Sequence, residues 1–309
     1  MGLGIITPHY NDLEGLERIY SCLEKQTCSD WEWIIVDDFS PRDSIAEVEK
    51  WCSELDDKFV KLICNTHKTN ASVCRNIGID HTDHKRLVFL DSDDMISDDF
   101  VANRHVEFEE FMVFKNFKLV NTKNEQFLSP EHHSNPLDHF LRASFIWQTT
   151  CVLWDKEFLI QIGKFDPNLQ RLQDVELSIR ALFAGNNYEI VDNTIDFFYC
   201  TKPIRLKKHI VKKSCQSVNY LILKIHDNYT LDTDRQSRIK AYYYACVKGL
   251  HRCKNRKDVV YVKESLKVFH KKKYINTFEY LIGNSLLMLY KNRMISDALF
   301  IRANRYFYK

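Results

Sequence analysis

No stretch of this chain approaches the roughly 18 consecutive apolar residues that a membrane-crossing helix requires. The longest apolar runs near the C-terminus are interrupted by Asn284 and Lys291. The opening residues, MGLGIITPHYND, lack a basic stretch followed by an apolar segment and a small-residue cleavage site, so no secretory leader is expected. Ile6 stands where a myristoylation signal has a small hydroxyl residue. The expected location is cytoplasmic, with peripheral attachment to the inner face of the cytoplasmic membrane left open. There are ten cysteines but no CxxC pair. They read as reduced thiols acting as small hydrophobes, and a structural zinc site is not expected. Neither GxGxxG nor GxxxxGK[ST] occurs, which removes the dinucleotide-binding fingerprint and the P-loop. There is no convincing internal repeat.

What is present is a globular composition with a concealed charge split. Of 309 residues, 45% are hydrophobic and 28% charged, and the formal net charge is only +2. Residues 1–200 carry a net −16 and residues 201–309 a net +18. A uniformly basic nucleic-acid binder is therefore not expected, nor a single evenly charged domain.

The first 90 residues alternate short apolar runs with amphipathic segments. Strands are expected at 3–7, 31–38, 59–64 and 86–91, and helices at 13–25, 44–55 and 71–80. Such alternation with continuous apolar strands is the pattern of a mostly parallel sheet covered on both faces, which places ligands at the carboxyl ends of its strands. Further on, the pattern predicts a helix over 98–111, a strand over 111–120, a polar loop over 121–136, a helix over 137–146 and a strand over 149–154. A helix over 173–184 and two last strands, 188–191 and 195–200, follow. Helices are then expected near 215–227, 234–249, 258–270, 274–291 and 295–306, with apolar and aromatic residues at helical spacing and basic residues between them.

Three acidic features could carry chemistry. LVFLDSDD (87–94) is a buried strand ending in Asp91, Asp93 and Asp94. Carboxylates crowded at a strand end repel one another unless a cation shares them, and hard oxygen donors suit Mg2+ or Mn2+ carrying a diphosphate. An Asp-rich turn capping the next helix is the plainer alternative. IIVDDFS (34–40) ends a second strand in Asp37 and Asp38 at the same sheet edge, or simply caps a helix. QRLQDVELSIRAL (170–182) opens a helix with Gln173, Asp174 and Glu176, where a carboxylate is also mildly stabilising without any chemistry.

With TPHYN before them, these features carry a resemblance. ITPHYND (6–12), LEKQTCSDWEWIIVDDFSPRDS (23–44), NASVCRNIGI (70–79), RLVFLDSDD (86–94) and IGKFDPNLQRLQDVELSIRAL (162–182) occur in the order of the inverting family 2 nucleotide-sugar glycosyltransferases. The resemblance covers roughly the first two thirds of the chain. It implies an α/β GT-A nucleotide-diphospho-sugar transferase fold, with a Rossmann-like mostly parallel sheet, as a catalytic domain over 1–205 and a basic helical region over 206–309. By the resemblance, Thr7, Pro8 and Tyr10 line the nucleobase, Asp37 or Asp38 (the latter slightly favoured) bonds it, and Arg75 lies near base and phosphates. Asp91 and Ser92 face the donor, Asp93 holds Mn2+ or Mg2+, and Asp174 is the catalytic base. Gln173 stands where the family commonly has Glu. Asp94, Trp147, Gln173 and Glu176 are candidates for the acceptor side. His209 is a candidate additional metal ligand, whereas His132 and His133 read as solvated.

The activity that the resemblance implies is inverting, metal-dependent hexosyl or N-acetylhexosaminyl transfer from a nucleotide-sugar, with a UDP-sugar the expected donor, to a cell-surface glycan or lipid-linked acceptor. A non-catalytic sugar-nucleotide-binding or scaffold protein on the same fold is the alternative. The basic region, with aromatic groups such as 242–244 and 304–309, is compatible with an anionic membrane surface, with docking on the acidic domain, or with a homo-oligomer interface. No nucleic-acid motif is present.

Overall fold

The computed structural model describes residues 2–55, 57–121, 125–130, 135–201 and 209–309. The chain divides into two compact units: residues 1–131, 146–168 and 180–203 form one, and residues 132–145, 169–179 and 204–309 form the other.

The first unit is built on sheets. Its strands are β1 (Leu3–His9), β2 (Trp31–Asp37), β3 (Val60–Cys64), β4 (Arg86–Phe89), β5 (Met95–Ile96), β6 (Phe111–Phe114), β7 (Phe117–Val120), β8 (Glu125–Leu128), β9 (Val152–Asp155), β10 (Tyr188–Val191) and β11 (Phe197–Cys200). Seven form one sheet in the order β10-β6-β9-β4-β1-β2-β3. Every pairing in it is parallel except those of β9, which runs antiparallel to β4 and β6. Helices α1 (Leu13–Leu23), α2 (Arg42–Leu55) and α3 (Ala71–His81) link the first four strands. β1, β2 and β4 are buried almost throughout, as expected of strands covered on both faces. Leu16, Ile19, Trp33, Val48 and Val88 meet in one core. α3 lies against β1 so closely that a Cβ at Gly78 would stand 2.4 Å from the Ile6 side chain, which restricts this position to glycine. A second sheet, β5-β11-β7-β8, completes the unit.

Four expectations change. The helix over 98–111 shrinks to α4 (Phe100–Asn103). The buried Arg104 guanidinium closes its end by donating to the Phe100 carbonyl and to Asp196. The strand over 111–120 is two strands in different sheets, parted at Lys115 and Asn116, whose side-chain amide turns to the Asp192 carbonyl. The polar stretch 121–136 contains β8, paired with β7. The strand over 149–154 begins only at Val152, after a tight turn at Thr149–Cys151.

The second unit is helical. Its elements are α5 (Pro136–Leu141), the first turns of α7 (Gln173–Ala184), α8 (Ile210–Asn228), α9 (Thr233–Arg238), α10 (Lys240–Cys253), α11 (Val259–Lys271), α12 (Thr277–Lys291) and α13 (Asp297–Tyr308); α6 (Lys156–Gln161) belongs to the first unit. A single boundary at 205/206 therefore does not describe the division, because 132–145 and 169–179 group with the late helices. Tyr242 donates to the Phe140 carbonyl at 2.6 Å, Arg235 pairs with Asp138 at 2.9 Å, and Lys224 pairs with Glu176 at 2.8 Å. The aromatic triplet 242–244 is core rather than surface: Tyr243 meets Tyr308 at 4.6 Å between ring centroids and Phe269 at 6.0 Å. The helix expected over 234–249 is two, α9 and α10, meeting at the buried Ile239. Among the described residues no helix is long and apolar enough to cross a membrane.

Candidate functional site

The carboxyl ends of β1, β2 and β4 bring most of the expected donor-side residues into the sheet unit. The register pairs His9 of β1 with Asp37 of β2, so their side chains meet. His9 Nδ1 lies 2.8 Å from Asp37 Oδ1, and the Asp12 backbone N–H donates to His9 Nε2 at 3.0 Å. The Nε2 position must therefore be bare, which leaves the ring proton on Nδ1, facing Asp37. Asp37 also accepts from the Ser40 backbone and hydroxyl. Burial alone would raise the Asp37 carboxyl; the bonds from His9 and Ser40 outweigh it and hold the group below the ordinary carboxylate range. Asp37 thus fastens the turn after β2.

Asp38 points to the turn that follows β3. It accepts from the Thr69 backbone at 2.7 Å and the Thr69 hydroxyl at 2.5 Å, and pairs with the Lys68 ammonium at 2.7 Å. Burial again works upward, and the Lys68 and Thr69 bonds bring Asp38 below its ordinary value. The Lys68 ammonium also stands 3.3 Å from the centre of the Tyr10 ring. Beside this cluster is a cavity of about 620 Å³ lined by Tyr10, Phe39, Pro41, Asn65 and Lys68, among others. Phe39 holds a left-handed backbone, φ 61°, with its ring half exposed. Strain in an exposed aromatic residue at a strand end is characteristic of functional loops. Sequence reasoning missed Phe39, Asn65, Lys68 and Thr69. The only available signal was their position just after expected strands.

At the end of β4, Arg75 reaches from α3 to Asp91 Oδ1 at 2.7 Å, and its guanidinium lies 5.1 Å from the Phe165 ring centre. Arg75 is 5% exposed whereas Asp91 is only half-buried. Ser92 is tied to α1: its hydroxyl donates to Asp12 at 2.9 Å and its carbonyl accepts from Arg18 at 2.8 Å. A Cβ at Gly15 would lie 2.5 Å from that carbonyl, so glycine lets α1 press against the acidic turn. Asp93 is half-buried. Asp94 is 2% exposed and accepts from the Cys200 backbone N–H at 2.9 Å. Its carboxyl is pushed up to about 8, first by burial and then by repulsion from Asp91, with Asp93 adding to it.

The donor set fits a divalent cation of the hard, oxygen-seeking kind. Three carboxylates crowd this turn, and repulsion from Asp91 and Asp93 adds to burial in displacing the Asp94 carboxyl. Among the described residues no three His, Cys, Asp or Glu side chains converge into a ready-made cage. Mg2+ and Mn2+ keep waters and substrate phosphates among their ligands and need only one or two carboxylates.

Several candidates are placed otherwise than expected. Thr7 is fully buried and its hydroxyl accepts from the Trp33 indole at 2.9 Å, so its side chain belongs to the sheet interior rather than to a base-lining loop. Pro8 is half-buried beside it. Trp147, at 3% exposure, is core in the sheet unit instead of an acceptor-side platform. Asp94 is engaged with β11 and is not presented to an acceptor. In the helical unit, Glu176 is 3% exposed and paired with Lys224, which removes it from the acceptor candidates. Gln173 donates to the Leu169 carbonyl. Asp174 is half-buried in the first turn of α7, near Tyr242, whose hydroxyl is raised by burial and further by this carboxylate. His209 is exposed, immediately before α8. His132, His133, Lys202, Arg205, Lys207 and Lys208 lie outside the described residues.

Comparison with known proteins bears on the fold and the family. The teichuronic acid biosynthesis glycosyltransferase TuaG of Bacillus subtilis, a putative assignment, is 28% identical over 217 residues, covering 62% of this chain and 81% of TuaG. The Escherichia coli UDP-Glc:alpha-D-GlcNAc-diphosphoundecaprenol beta-1,3-glucosyltransferase WfgD is 31% identical over 114 residues, covering 37% of this chain and 42% of WfgD, less than half its length. Among solved structures, S. aureus TarS 1–349 in complex with UDP-GlcNAc superposes with a TM-score of 0.66 at 12% identity, covering 99% of this chain and 92% of that one. The mannosyltransferase PcManGT of Pyrobaculum calidifontis, in complex with GDP-Man and Mn2+, gives 0.56 at 14%, covering 98% and 86%. These last two likenesses speak for the fold. Residues 4–160, just over half of the chain, match the model of Glycosyl transferase family 2; the chain belongs to this family and is a glycosyltransferase.

Proposed function

We propose that this enzyme transfers a sugar, with inversion and with the help of a divalent cation, from a UDP-sugar to a cell-surface glycan or lipid-linked acceptor. The observation that carries the reading is the acidic end of β4, where Asp91, Asp93 and Asp94 crowd one turn, Arg75 pairs with Asp91, and repulsion adds to burial in displacing Asp94. The acceptor class is supported by the diphosphoundecaprenol acceptor of WfgD and by the assignment of TuaG to teichuronic acid biosynthesis, and the donor by UDP-GlcNAc in the TarS complex.

In this reading the nucleobase enters beside Tyr10 and Asp38, displacing the Lys68 ammonium that covers both. Arg75 orients Asp91 toward the ribose, and Asp93 would hold the cation. That cation would supply charge to the departing diphosphate. Asp174 takes the proton from the acceptor hydroxyl as its oxygen attacks C1 of the sugar; the bond from C1 to the phosphate oxygen breaks, and the nucleoside diphosphate leaves with that electron pair. A carboxylate of ordinary basicity suffices because the hydroxyl becomes acidic late in the attack.

Calorimetric titration with UDP, with and without Mn2+, tests the donor half. Asp93→Ala should remove the metal-dependent part of UDP binding, and equal metal-independent binding by both proteins would exclude the role given to Asp93. Asp174→Ala should keep UDP affinity while lowering transfer by at least about a thousandfold. Transfer at the original rate would remove Asp174 as the base. A panel of UDP- and GDP-sugars scored for hydrolysis identifies the donor.

A further inference from the structure

We propose that the solvent face of the hairpin formed by α12 and α13 docks on an anionic lipid surface. These helices already satisfy their need for burial on the opposite side. Gly283, Leu287 and Tyr290 of α12 and Phe300, Asn304 and Tyr308 of α13 are buried, and Tyr290 stacks on Phe300 at 3.9 Å between ring centroids. The outer side is nevertheless apolar. Phe278, Leu281 and Met288 on α12, Met294 in the turn, and Leu299 and Tyr306 on α13 are 51–83% exposed. They do not stand singly. Phe278 meets Phe307 at 6.5 Å and Phe307 meets Tyr306 at 5.1 Å, so aromatic surface runs from one helix to the other. A contiguous exposed apolar patch on a folded unit marks an interaction face.

Charge selects the occupant. Lys291, Arg293, Arg302, Arg305 and Lys309 are all exposed, and among the described residues none forms an ion pair. The hairpin's two acidic residues are both neutralised, Glu279 by Lys240 at 2.8 Å and Asp297 by Arg256 at 3.2 Å. An apolar face beside unpaired cations complements a bilayer surface, which offers acyl chains and anionic phosphates together. A second copy of the same face would bring like charges together. The proposal is independent of the donor chemistry given above.

Sedimentation of the full chain with vesicles of phosphatidylglycerol and phosphatidylethanolamine tests it, against vesicles of phosphatidylcholine alone. The chain should pellet with the anionic vesicles, less so as salt rises, and remain in solution with the neutral ones. Phe278→Ser with Leu281→Ser should lower the partition by more than about tenfold. Arg302→Gln with Arg305→Gln should lower it by about thirtyfold at low ionic strength. Both pairs are exposed, so their thermal midpoints and UDP affinities should match the parent and report intact folding. The proposal is overturned if anionic vesicles leave the chain in solution at low salt, or if both variants partition like the parent. It is equally overturned if light scattering finds a dimer that Phe278→Ser with Leu281→Ser converts to monomer, which would make the face a contact between copies.

Discussion

In the sheet unit the notable charges lie inside the fold and have assigned partners: Asp37 with His9 and Ser40, Asp38 with Lys68 and Thr69, Arg75 with Asp91, Arg104 with Asp196. In the helical unit the interior is mainly aromatic and aliphatic, with Glu176 buried against Lys224 as an exception, and most of the excess Lys and Arg stands in solvent on α10 to α13. The opposite net charges of the two halves thus have different physical meanings. Carboxylates at strand ends are costly to bury and persist because each is bonded or shared, whereas exposed lysines cost little and contribute little. Charge in the first unit builds structure and a site. In the second it shapes the field around a core that does not need it.

The buried pair in the sheet unit should give the largest effect on stability. Arg104 and Asp196 are 0% and 1% exposed in their side chains and lie 2.7 Å apart. The guanidinium also sits 3.3 Å from the Phe100 ring centre and 4.4 Å from that of Phe114. Arg104→Met keeps the apolar contact but strands the Asp196 carboxylate, at a cost of about 3–5 kcal/mol. Urea unfolding measures this, and a loss below about 1 kcal/mol would break the contrast between the units.

Acid gives the next effect. Asp37 and Asp38 have lowered values in the folded chain, so the unfolded chain binds their protons first as pH falls. The stabilisation they provide is fully present above about pH 4 and is lost as pH falls further, through their folded values. Urea midpoints taken from neutral pH down into this range should decline, and Asp37→Asn should flatten part of the decline. An unchanged slope in Asp37→Asn would mean that the turn after β2 is not held by that carboxylate.

The contrast also explains what could be seen in advance. Apolar runs ending in acids, such as WEWIIVDD and RLVFLDSDD, announce buried strands with a site at their ends, because burial fixes the strand and only a functional or bonded carboxylate survives there. Their order supplied the sheet and the family. The cavity wall was not legible: Asn65 and Lys68 sit in a turn without periodicity, and the left-handed backbone of Phe39 has no sequence mark. Thr7 was misjudged because a hydroxyl at a strand end looks available until the Trp33 indole is seen to occupy it. Tyr242, Tyr243 and Tyr244 were not assigned to the core because periodicity gives one buried stripe per helix, while α10 touches α8, α11 and α13 and is buried on several sides.

The smallest effect belongs to the lysines of the helical unit. Lys263 and Lys267 are exposed one turn apart on α11, whose buried face is Val259, Val262, Ser265, Leu266 and Phe269. Neither forms an ion pair among the described residues. Lys263→Gln with Lys267→Gln should leave the unfolding free energy within about 0.5 kcal/mol of the parent at physiological ionic strength, as for surface changes that break no cap, pair or packing contact. The sign should depend on salt. At low ionic strength the screening length grows and removal of two positive charges from a strongly basic unit relieves repulsion, so the variant should become slightly the more stable. Added salt should erase that gain. A loss of more than about 1 kcal/mol, or a gain that grows with salt, would mean that these lysines hold the helices as the strand-end carboxylates hold the sheet.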